Sequence, residues 1–281
     1  MQLRRPGKLR RLPIQGAAER ASVTDTLARL PQACGFEDNH NPTVHHLRIY
    51  FSGLMTTLPH RAFVTGGTGY VGRPLITQLL ARRHEVHVLV RSGSEKKLPT
   101  GCQAIPGDAL DATSYAAKIS PCDTFVQLVG VSHPNPAKAA EFRSVDLASG
   151  RGAIEAARSA GVQHFVYVSV AHPAPMMKTY IEVRSQCEAM IRQSGLKATI
   201  LRPWYVLGPG HRWPYLLLPI YKVMELLPST REGARRLGLV TLHQMLSALA
   251  DAVDHPPDEA AARMRILEVP AIRAAGRPAA G

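Results

Sequence analysis

The sequence predicts an α/β fold of the Rossmann type, a doubly wound parallel sheet with a small C-terminal cap region. Two observations predict it. An apolar run at 62–64 leads directly into glycines at positions 66, 69 and 72, and a helical pattern follows. A strand, a tight turn and a helix start in this order are typical of a dinucleotide-binding domain. From residue 61 onward, short β-type runs alternate with helical patterns, which indicates parallel strands joined by right-handed crossovers.

Each element is predicted from its own apolar pattern. Runs rich in β-branched and aromatic residues predict strands, whereas apolar residues three and four positions apart predict helices. The predicted strands span about 61–66, 86–90, 102–106, 124–129, 165–169, 198–201 and 265–269. The predicted helices span about 70–82, 112–119, 141–160, 179–194, 215–227 and 242–253.

The chain divides into three parts. Residues 1–58 are expected to be a poorly structured N-terminal extension, with an Arg-rich beginning and little apolar periodicity. Three interpretations stay open for it: a natural start at Met55, a disordered extension, or an Arg-rich transit peptide. Residues 59–270 form the predicted NAD(P)-binding domain, with cap elements at about 203–228. Residues 271–281 are rich in Ala, Gly, Pro and Arg, and we expect a disordered tail.

Composition narrows the class of protein. The chain has 281 residues and a formal net charge of +13, but the positive charges are scattered and not interleaved with aromatic residues. We therefore expect no nucleic-acid partner. No apolar run approaches the ~20 residues that span a bilayer, so no transmembrane span is expected. The four cysteines are widely spaced, which fits a reducing, cytoplasmic location, and neither they nor the histidines show a metal-ligand spacing.

The glycine-rich turn predicts a binding site for the phosphates of a dinucleotide. The first glycine permits a sharp turn, the second lets the backbone approach the pyrophosphate, and the third lets the helix lie close to the strand. Free N–H groups at the helix start then face the phosphates. The cofactor-binding residues predicted here are Gly66, Thr68, Gly69, Tyr70, Val71 and Gly72.

The residues after the second strand favour NADP over NAD, although NAD stays possible. An acid at this position binds the ribose 2′-hydroxyl of NAD, whereas an Arg suits the 2′-phosphate of NADP. Arg91 and Ser92 stand there, and no acid occurs in 86–94. After the third strand, Asp108 is a candidate for binding the adenine amino group; the alternative is that its carboxylate stabilises a local turn.

Ser169, Tyr180 and Arg184 are the candidate catalytic residues. Ser169 ends the fifth strand, Tyr180 lies near a helix start, and Arg184 is one helical turn further on the same face. A cation near a phenol lowers its pKa, which allows Tyr to act as an acid in hydride chemistry. The alternative is an ordinary Tyr–Arg pair.

These residues carry a resemblance to a known family. The glycine-rich turn, Gly107-Asp108, Val168-Ser169, Tyr180 and the segment 201–210 resemble the extended and atypical short-chain dehydrogenase/reductase superfamily. Within it, the chain is similar to the NmrA-like NAD(P)H-binding group and to the dehydrogenase-like accessory subunit of respiratory complex I. From this resemblance we also expect Leu128, Val129, Gly130 and Pro203 to contact the cofactor.

The resemblance implies an NADP(H)-binding oxidoreductase, but with one departure from the family pattern. The family's active site holds a Lys four residues after the Tyr, where this chain has Arg184, and Arg does not reproduce the compact ammonium of Lys. The aromatic residues Trp204, Tyr205, Trp213 and Tyr215 suit a flat, apolar, quinone-like substrate, unless they only pack the cap. The alternative function is a non-catalytic cofactor-binding regulatory or assembly protein with a protein complex partner.

Overall fold

A seven-stranded parallel sheet forms the centre of the protein. The computed structural model describes residues 59–209, 231–258 and 263–276. The strands are β1 (Arg61–Thr65), β2 (Glu85–Val90), β3 (Gln103–Pro106), β4 (Thr124–Gln127), β5 (His164–Val168), β6 (Lys197–Arg202), β7 (Tyr205–Leu207), β8 (Leu239–Thr241) and β9 (Met264–Glu268). The sheet order is β3-β2-β1-β4-β5-β6-β9, while β7 and β8 form a separate parallel pair.

Helices cover both faces of this sheet. They are α1 (Gly72–Ala81), α2 (Ala139–Glu141), α3 (Ala148–Ser159), α4 (Lys178–Ser194), α5 (Arg231–Arg236), α6 (Leu242–Asp254) and α7 (Val269–Ala275). A π-helical turn, Phe142–Leu147, joins α2 to α3 without a break. None of the helices in the described ranges is long and apolar enough to cross a membrane.

The order of the strands creates a crevice between β1 and β4. From β1 the chain moves outward through β2 and β3, and it then returns to place β4 on the opposite side of β1. Connections from the ends of β1 and β4 therefore diverge. In an open parallel sheet this switch point, at the carboxyl ends of the strands, is where ligands bind.

Alternating residues of each strand build two cores, one on each face. Ala62 and Val64 face the side covered by α1 and α6. Phe63 faces the opposite side, where its ring lies 5.3 Å from that of Phe125, measured between centroids. Phe125 in turn stacks on Phe165 at 5.3 Å. This aromatic row packs beneath α3 and α4 and accounts for much of the second core.

The predicted fold class is confirmed, with local differences. The helix expected at 112–119 is two short 3₁₀ turns, Ala112–Ser114 and Ala116–Lys118, because the buried Tyr115 interrupts the helical pattern between them. The helix expected at 141–160 is the composite of α2, the π-helical turn and α3. The expected N-terminal extension, the helix at 215–227 and most of the expected cap lie outside the described residues.

The tail prediction is wrong for its first residues. Residues 271–275 belong to α7, which packs on α6 and on β8. The reason is that Val269 and Ile272 are one turn apart and both fully buried, so this short helix has an apolar side that the core covers. Because residues 271–281 are rich in Ala, their composition did not predict a packed helix.

Replacing Ile272 tests how much α7 contributes to stability. We expect Ile272→Ala to lower the free energy of unfolding by about 2–5 kcal/mol, because the side chain is removed from a packed core that cannot fully close the cavity. Chemical denaturation measures this change. Ala271→Ser, at an exposed position of the same helix, is the control and should change it by no more than about 0.5 kcal/mol. Equal effects of the two substitutions would show that α7 does not pack as described.

Candidate dinucleotide and substrate site

The glycine-rich loop after β1 makes a tight turn at the crevice. Gly66 has a φ of +71°, and a Cβ placed on it would lie 2.9 Å from the carbonyl carbon of Leu128 at the end of β4. A side chain is therefore excluded both by backbone conformation and by space. The Gly69 N–H donates to the Gly66 carbonyl at 3.0 Å, which closes the turn.

The last glycine brings α1 against this loop. A Cβ on Gly72 would overlap the Gly66 carbonyl oxygen and lie 2.7 Å from the Cα of Gly67. Gly67 itself, which the sequence analysis did not single out, leaves room for Val88 of β2 and for Ile76 of α1.

In the first turn of α1 the Arg73 N–H donates to the Gly69 carbonyl at 3.2 Å, the Leu75 N–H donates to the Val71 carbonyl at 3.1 Å, and Pro74 has no N–H. Fewer free N–H groups stand at the helix start than the sequence predicts, and an anion next to it is favoured by the positive end of the helix dipole.

A cleft of about 390 Å³ opens above this loop. It includes most of the residues predicted to bind the cofactor, together with others from the connections after β2, β3 and β4. Its lining consists of Gly66, Thr68, Gly69, Leu89, Val90, Arg91, Ser94, Lys97, Gly107, Asp108, Ala109, Leu110, Leu128, Val129, Gly130, Ser132 and Val145.

Five predicted cofactor residues do not line this cleft. Val71, Gly72 and Ser92 lie beside it in the chain, whereas Tyr70 and Pro203 line a second cleft. Other lining residues, such as Ser94 and Leu110, were not predicted, because their contribution depends on how the turns after β2 and β3 fold back over the sheet.

Asp108 stabilises its own turn while facing the cleft. Its Oδ1 atom accepts a hydrogen bond from the Leu110 N–H at 3.0 Å, which is the turn-forming alternative considered for this residue. Asp111 caps the following 3₁₀ turn through the Thr113 N–H. The Asp108 side chain also lines the cleft, so a local structural role and a role in ligand binding are compatible.

A second cleft, of about 470 Å³, lies next to the first, and segments of the glycine-rich loop and of the loop after β4 contribute to both. Tyr70 belongs to it, directly after Gly69 of the first cleft, and His133 belongs to it, directly after Ser132 of the first. Its lining is predominantly apolar and aromatic: Tyr70, His133, Pro134, Asn135, Val168, Ser169, Val170, Tyr180, Pro203, Trp204, Tyr205 and Val206. The predicted Trp213 and Tyr215 lie outside the described residues.

Ser169 and Tyr180 are thus brought together, but the Ser169 hydroxyl is already engaged. It is only 2% exposed and donates to Glu188 Oε1 at 2.6 Å. Burial opposes ionisation of Glu188, yet hydrogen bonds from Arg202 and Ser169 outweigh it and lower the pKa of this carboxyl. An ionised carboxylate only accepts hydrogen bonds. The proton of the Ser169 hydroxyl is therefore engaged with Glu188, and this hydroxyl can only accept a hydrogen bond from a ligand.

Arg184 lies beneath the two clefts and is held by several groups. Its Nη1 atom donates to the Val168 carbonyl at 2.8 Å and to the Tyr167 hydroxyl at 3.2 Å, and its Nη2 atom forms an ion pair with Asp146. The guanidinium also lies 5.1 Å from the centre of the Tyr180 ring. The expected cation next to Tyr180 is therefore present, although it lines neither cleft.

The described residues contain no group of three or more His, Cys, Asp or Glu side chains able to hold a metal ion. The three cysteines in these ranges, Cys102, Cys122 and Cys187, are free thiols. Burial raises the pKa of the Cys122 thiol to about 12, with the negative charge of Asp123 adding to the effect. A protonated, buried thiol is a poor nucleophile and a poor metal ligand.

The fold and the first cleft together define a dinucleotide-binding protein of the Rossmann class. Residues 66–211 match the NAD(P)H-binding family, and this chain belongs to it. This match confirms the NAD(P)H-binding family that the sequence motifs indicated.

Three curated relatives illustrate the range of this family. The chain is 29% identical, over 53% of its length and 51% of the relative's, to the 4-hydroxy-2-methyl-3-oxo-4-farnesyl-3,4-dihydroquinoline-1-oxide ketoreductase of Stigmatella aurantiaca. It is 30% identical to the ceramide reductase of Caulobacter vibrioides, covering 61% and 54%. It is 28% identical to the Photosystem II assembly factor Ycf39 of Trieres chinensis, covering 50% and 44%. The chain thus spans about half the length of these relatives.

Solved structures share the fold at low sequence identity. The Bordetella bronchiseptica enzyme WbmH, in complex with NAD⁺, has a TM-score of 0.54 at 21% identity, covering 70% of this chain and 73% of that one. MoeE5, in complex with UDP-glucuronic acid and NAD, has a TM-score of 0.55 at 18% identity, covering 74% and 76%. At this identity the likeness describes the fold alone.

Two glycine substitutions separate phosphate binding from folding. We expect Gly69→Val to weaken NADPH binding by about 100-fold or more, since the side chain would occupy phosphate space and remove hydrogen bonds worth ~1.5–3 kcal/mol each. Its effect on folding should be modest, because a Cβ there approaches only the Gly66 carbonyl oxygen, at 3.1 Å. Gly72→Val should instead destabilise the fold. NADPH titration and thermal melting without cofactor measure the two effects, and NADPH affinity retained in Gly69→Val would place the phosphates elsewhere.

Proposed function

We propose that this protein binds NADP(H) in the first cleft and transfers a hydride to an apolar, quinone-like substrate in the second. The observation that supports it most directly is the junction of the two clefts. The segments 68–70 and 130–135 each contribute to both, so a ligand in one cleft approaches a ligand in the other. Two of the relatives are reductases named for substrates with apolar groups, one farnesyl-substituted and one a ceramide.

Preference for NADP follows from the charges at the adenosine end of the first cleft. Arg91 and Lys97 both line it, next to Ser94, and a guanidinium binds a phosphate with paired, charge-assisted hydrogen bonds. Between Val86 and Ser94 no acid stands where it would bind the ribose of NAD. These residues fit a 2′-phosphate, and the glycine-rich loop fits the pyrophosphate.

The residues of the second cleft favour a substrate that requires little help from a proton donor. Ser169 donates to Glu188, and Arg184 is paired with Asp146. The usual transfer of a proton to a carbonyl oxygen therefore has less support here than in the family. When bound, the cofactor would supply the hydride, and the aromatic lining, including Trp204 and Tyr205, would hold a flat acceptor. Solvent or Tyr180 then protonates the reduced oxygen.

The same two hydrogen-bonding arrangements support a second candidate function. A protein in which Ser169 and Arg184 are both engaged can hold a cofactor without turnover, as a regulatory or assembly protein. One relative carries an assembly-factor name, and an assembly role would require a protein complex partner. The two functions differ in whether NADPH is consumed.

Replacing Arg91 tests the choice of cofactor. We expect NADPH to bind at least about tenfold more tightly than NADH, and Arg91→Asp to narrow or reverse this gap, because a charge-assisted contact is worth ~1.5–3 kcal/mol. Titrations at fixed ionic strength measure both affinities. Lys96→Asp is the matched control: it makes the same change of charge at an exposed residue that does not line the cleft, and it should keep the gap. Equal affinities in the unmodified protein would remove the basis for NADP preference.

Turnover assays distinguish the enzyme from the cofactor-holding protein. We expect the unmodified protein to oxidise NADPH with quinones as acceptors. Trp204→Ala should raise the KM for the quinone about tenfold through loss of aromatic contact, whereas Tyr180→Phe should retain quinone reduction. Met176→Ala, an exposed apolar residue outside both clefts, is the control. Tight NADPH binding with no oxidation by quinones or aldehydes would favour the assembly function. Strong aldehyde reduction, lost in Tyr180→Phe, would show the family's usual mechanism instead.

A further inference from the structure

A buried ion pair contacts the loop after β4, whose residues line both clefts. Asp146 and Arg184 form it, and their side chains are 0% and 7% exposed. Asp146 comes from the π-helical turn and Arg184 from the first half of α4. Taking two charges out of water is costly, so a pair in this position needs a reason beyond stability.

The pair is bonded to the backbone of the loop after β4. Asp146 Oδ2 accepts a hydrogen bond from the Val131 N–H at 3.0 Å. A Cβ on Gly130 would overlap Arg184 Nη2 and lie 3.0 Å from Asp146 Oδ1, so the loop rests on the pair without an intervening side chain. Gly130 in turn lines the first cleft. The ion pair therefore fixes the position of the 130–131 backbone in the wall of the first cleft.

Arg184 extends the same contact to the second cleft. It donates to the carbonyl of Val168, which lines that cleft, and its guanidinium lies against the ring of Tyr180. Burial disfavours its charge, but Tyr167, Tyr180 and Asp146 together raise the pKa of the Arg184 guanidinium well above its ordinary value, so it stays protonated. Burial raises the pKa of the Asp146 carboxyl, while Arg184 and the Val131 N–H oppose this rise. With the carboxyl ionised against the guanidinium, the pair is close to electrically neutral.

We propose that Asp146 is a positioning residue of the cofactor site, which fixes the 130–131 backbone and neutralises Arg184 under the nicotinamide end of the cofactor. This inference rests on the proposed cofactor site: with the adenosine at Arg91 and the pyrophosphate on 66–69, the nicotinamide end extends along the loop after β4 towards Tyr180. Where the family has an unpaired Lys, this chain has Arg184 in an ion pair with Asp146.

The charge on the nicotinamide gives this proposal a specific signature. The ring is cationic in NADP⁺ and uncharged in NADPH, so an unpaired Arg184 would repel only the oxidised cofactor. Asp146→Asn should therefore weaken NADP⁺ binding about tenfold more than NADPH binding, as expected for an unscreened charge in a site of low effective dielectric. A purely structural defect would weaken both equally.

The experiment measures the affinities of NADP⁺ and NADPH for the unmodified protein and for each variant by direct titration. Asp123→Asn is the matched control, because Asp123 also accepts from a backbone N–H, that of Arg61, but at the opposite end of the strands. It should leave the ratio of the two affinities unchanged. Asp146→Asn combined with Arg184→Met removes both charges and should restore the ratio.

A second variant keeps the test decisive if Asp146→Asn fails to fold. Asp146→Leu with Arg184→Met replaces the ion pair by apolar side chains, an exchange that buried pairs often tolerate. It removes the acceptor for the Val131 N–H, so both affinities should fall by about fivefold or more, the value of one lost hydrogen bond, while their ratio stays that of the unmodified protein.

Two outcomes would overturn the inference. In the first, the unmodified protein binds both cofactors and Asp146→Asn leaves the ratio of the NADP⁺ and NADPH affinities unchanged. The other is an apolar double variant that binds both cofactors as tightly as the unmodified protein. If the unmodified protein binds neither cofactor, the proposed cofactor site itself fails, which is a different result from either of these.

Discussion

The close contact between the start of α1 and the glycine-rich loop is the constraint on which the rest of this structure depends. Gly72 touches the backbone of Gly67 with no room for a side chain. This contact fixes the direction of α1, whose apolar side, with Leu75 and Leu79, packs in the same core as α6. It also places the positive end of the α1 dipole at the carboxyl end of β1, next to the crevice between β1 and β4. Packing and ligand binding thus rely on the same few backbone atoms.

Two buried networks on α4 explain why the family resemblance does not translate directly into family chemistry. The Ser169 hydroxyl donates a hydrogen bond to Glu188, and Arg184 forms an ion pair with Asp146. The residue types at Ser169 and Tyr180 match the family pattern, but a side chain is chemically defined by its partners as well as by its identity. The proposed redox chemistry depends on the apolar cleft next to the cleft above the glycine-rich loop, and the engaged polar groups would limit which substrates can be protonated there.

The fold and the phosphate-binding loop could be predicted from the sequence, because their signals are local. Strand periodicity and glycine spacing are read within about ten residues, and all seven strands of the main sheet lie where they were predicted. The short pair of β7 and β8 was not predicted. Contacts between distant residues could not be read in this way. The sequence shows Arg184 four residues after Tyr180, but nothing near it indicates Asp146, which lies 38 residues earlier in the chain. The same holds for Glu188, whose importance depends on its contact with Ser169 and Arg202.

The position of α4 has a further consequence. Tyr180, Arg184 and Glu188 follow one another at intervals of four residues and therefore lie along one side of the helix. Since Arg184 and Glu188 are each bonded to different strands or turns, a rotation of α4 about its own axis would break both networks at once. The helix that includes Tyr180 is held at two successive turns by the contacts of Arg184 and Glu188. The α4 side of the aromatic cleft is therefore already ordered before a ligand binds. Its side chains lose their conformational entropy during folding, so ligand binding does not include this entropic cost.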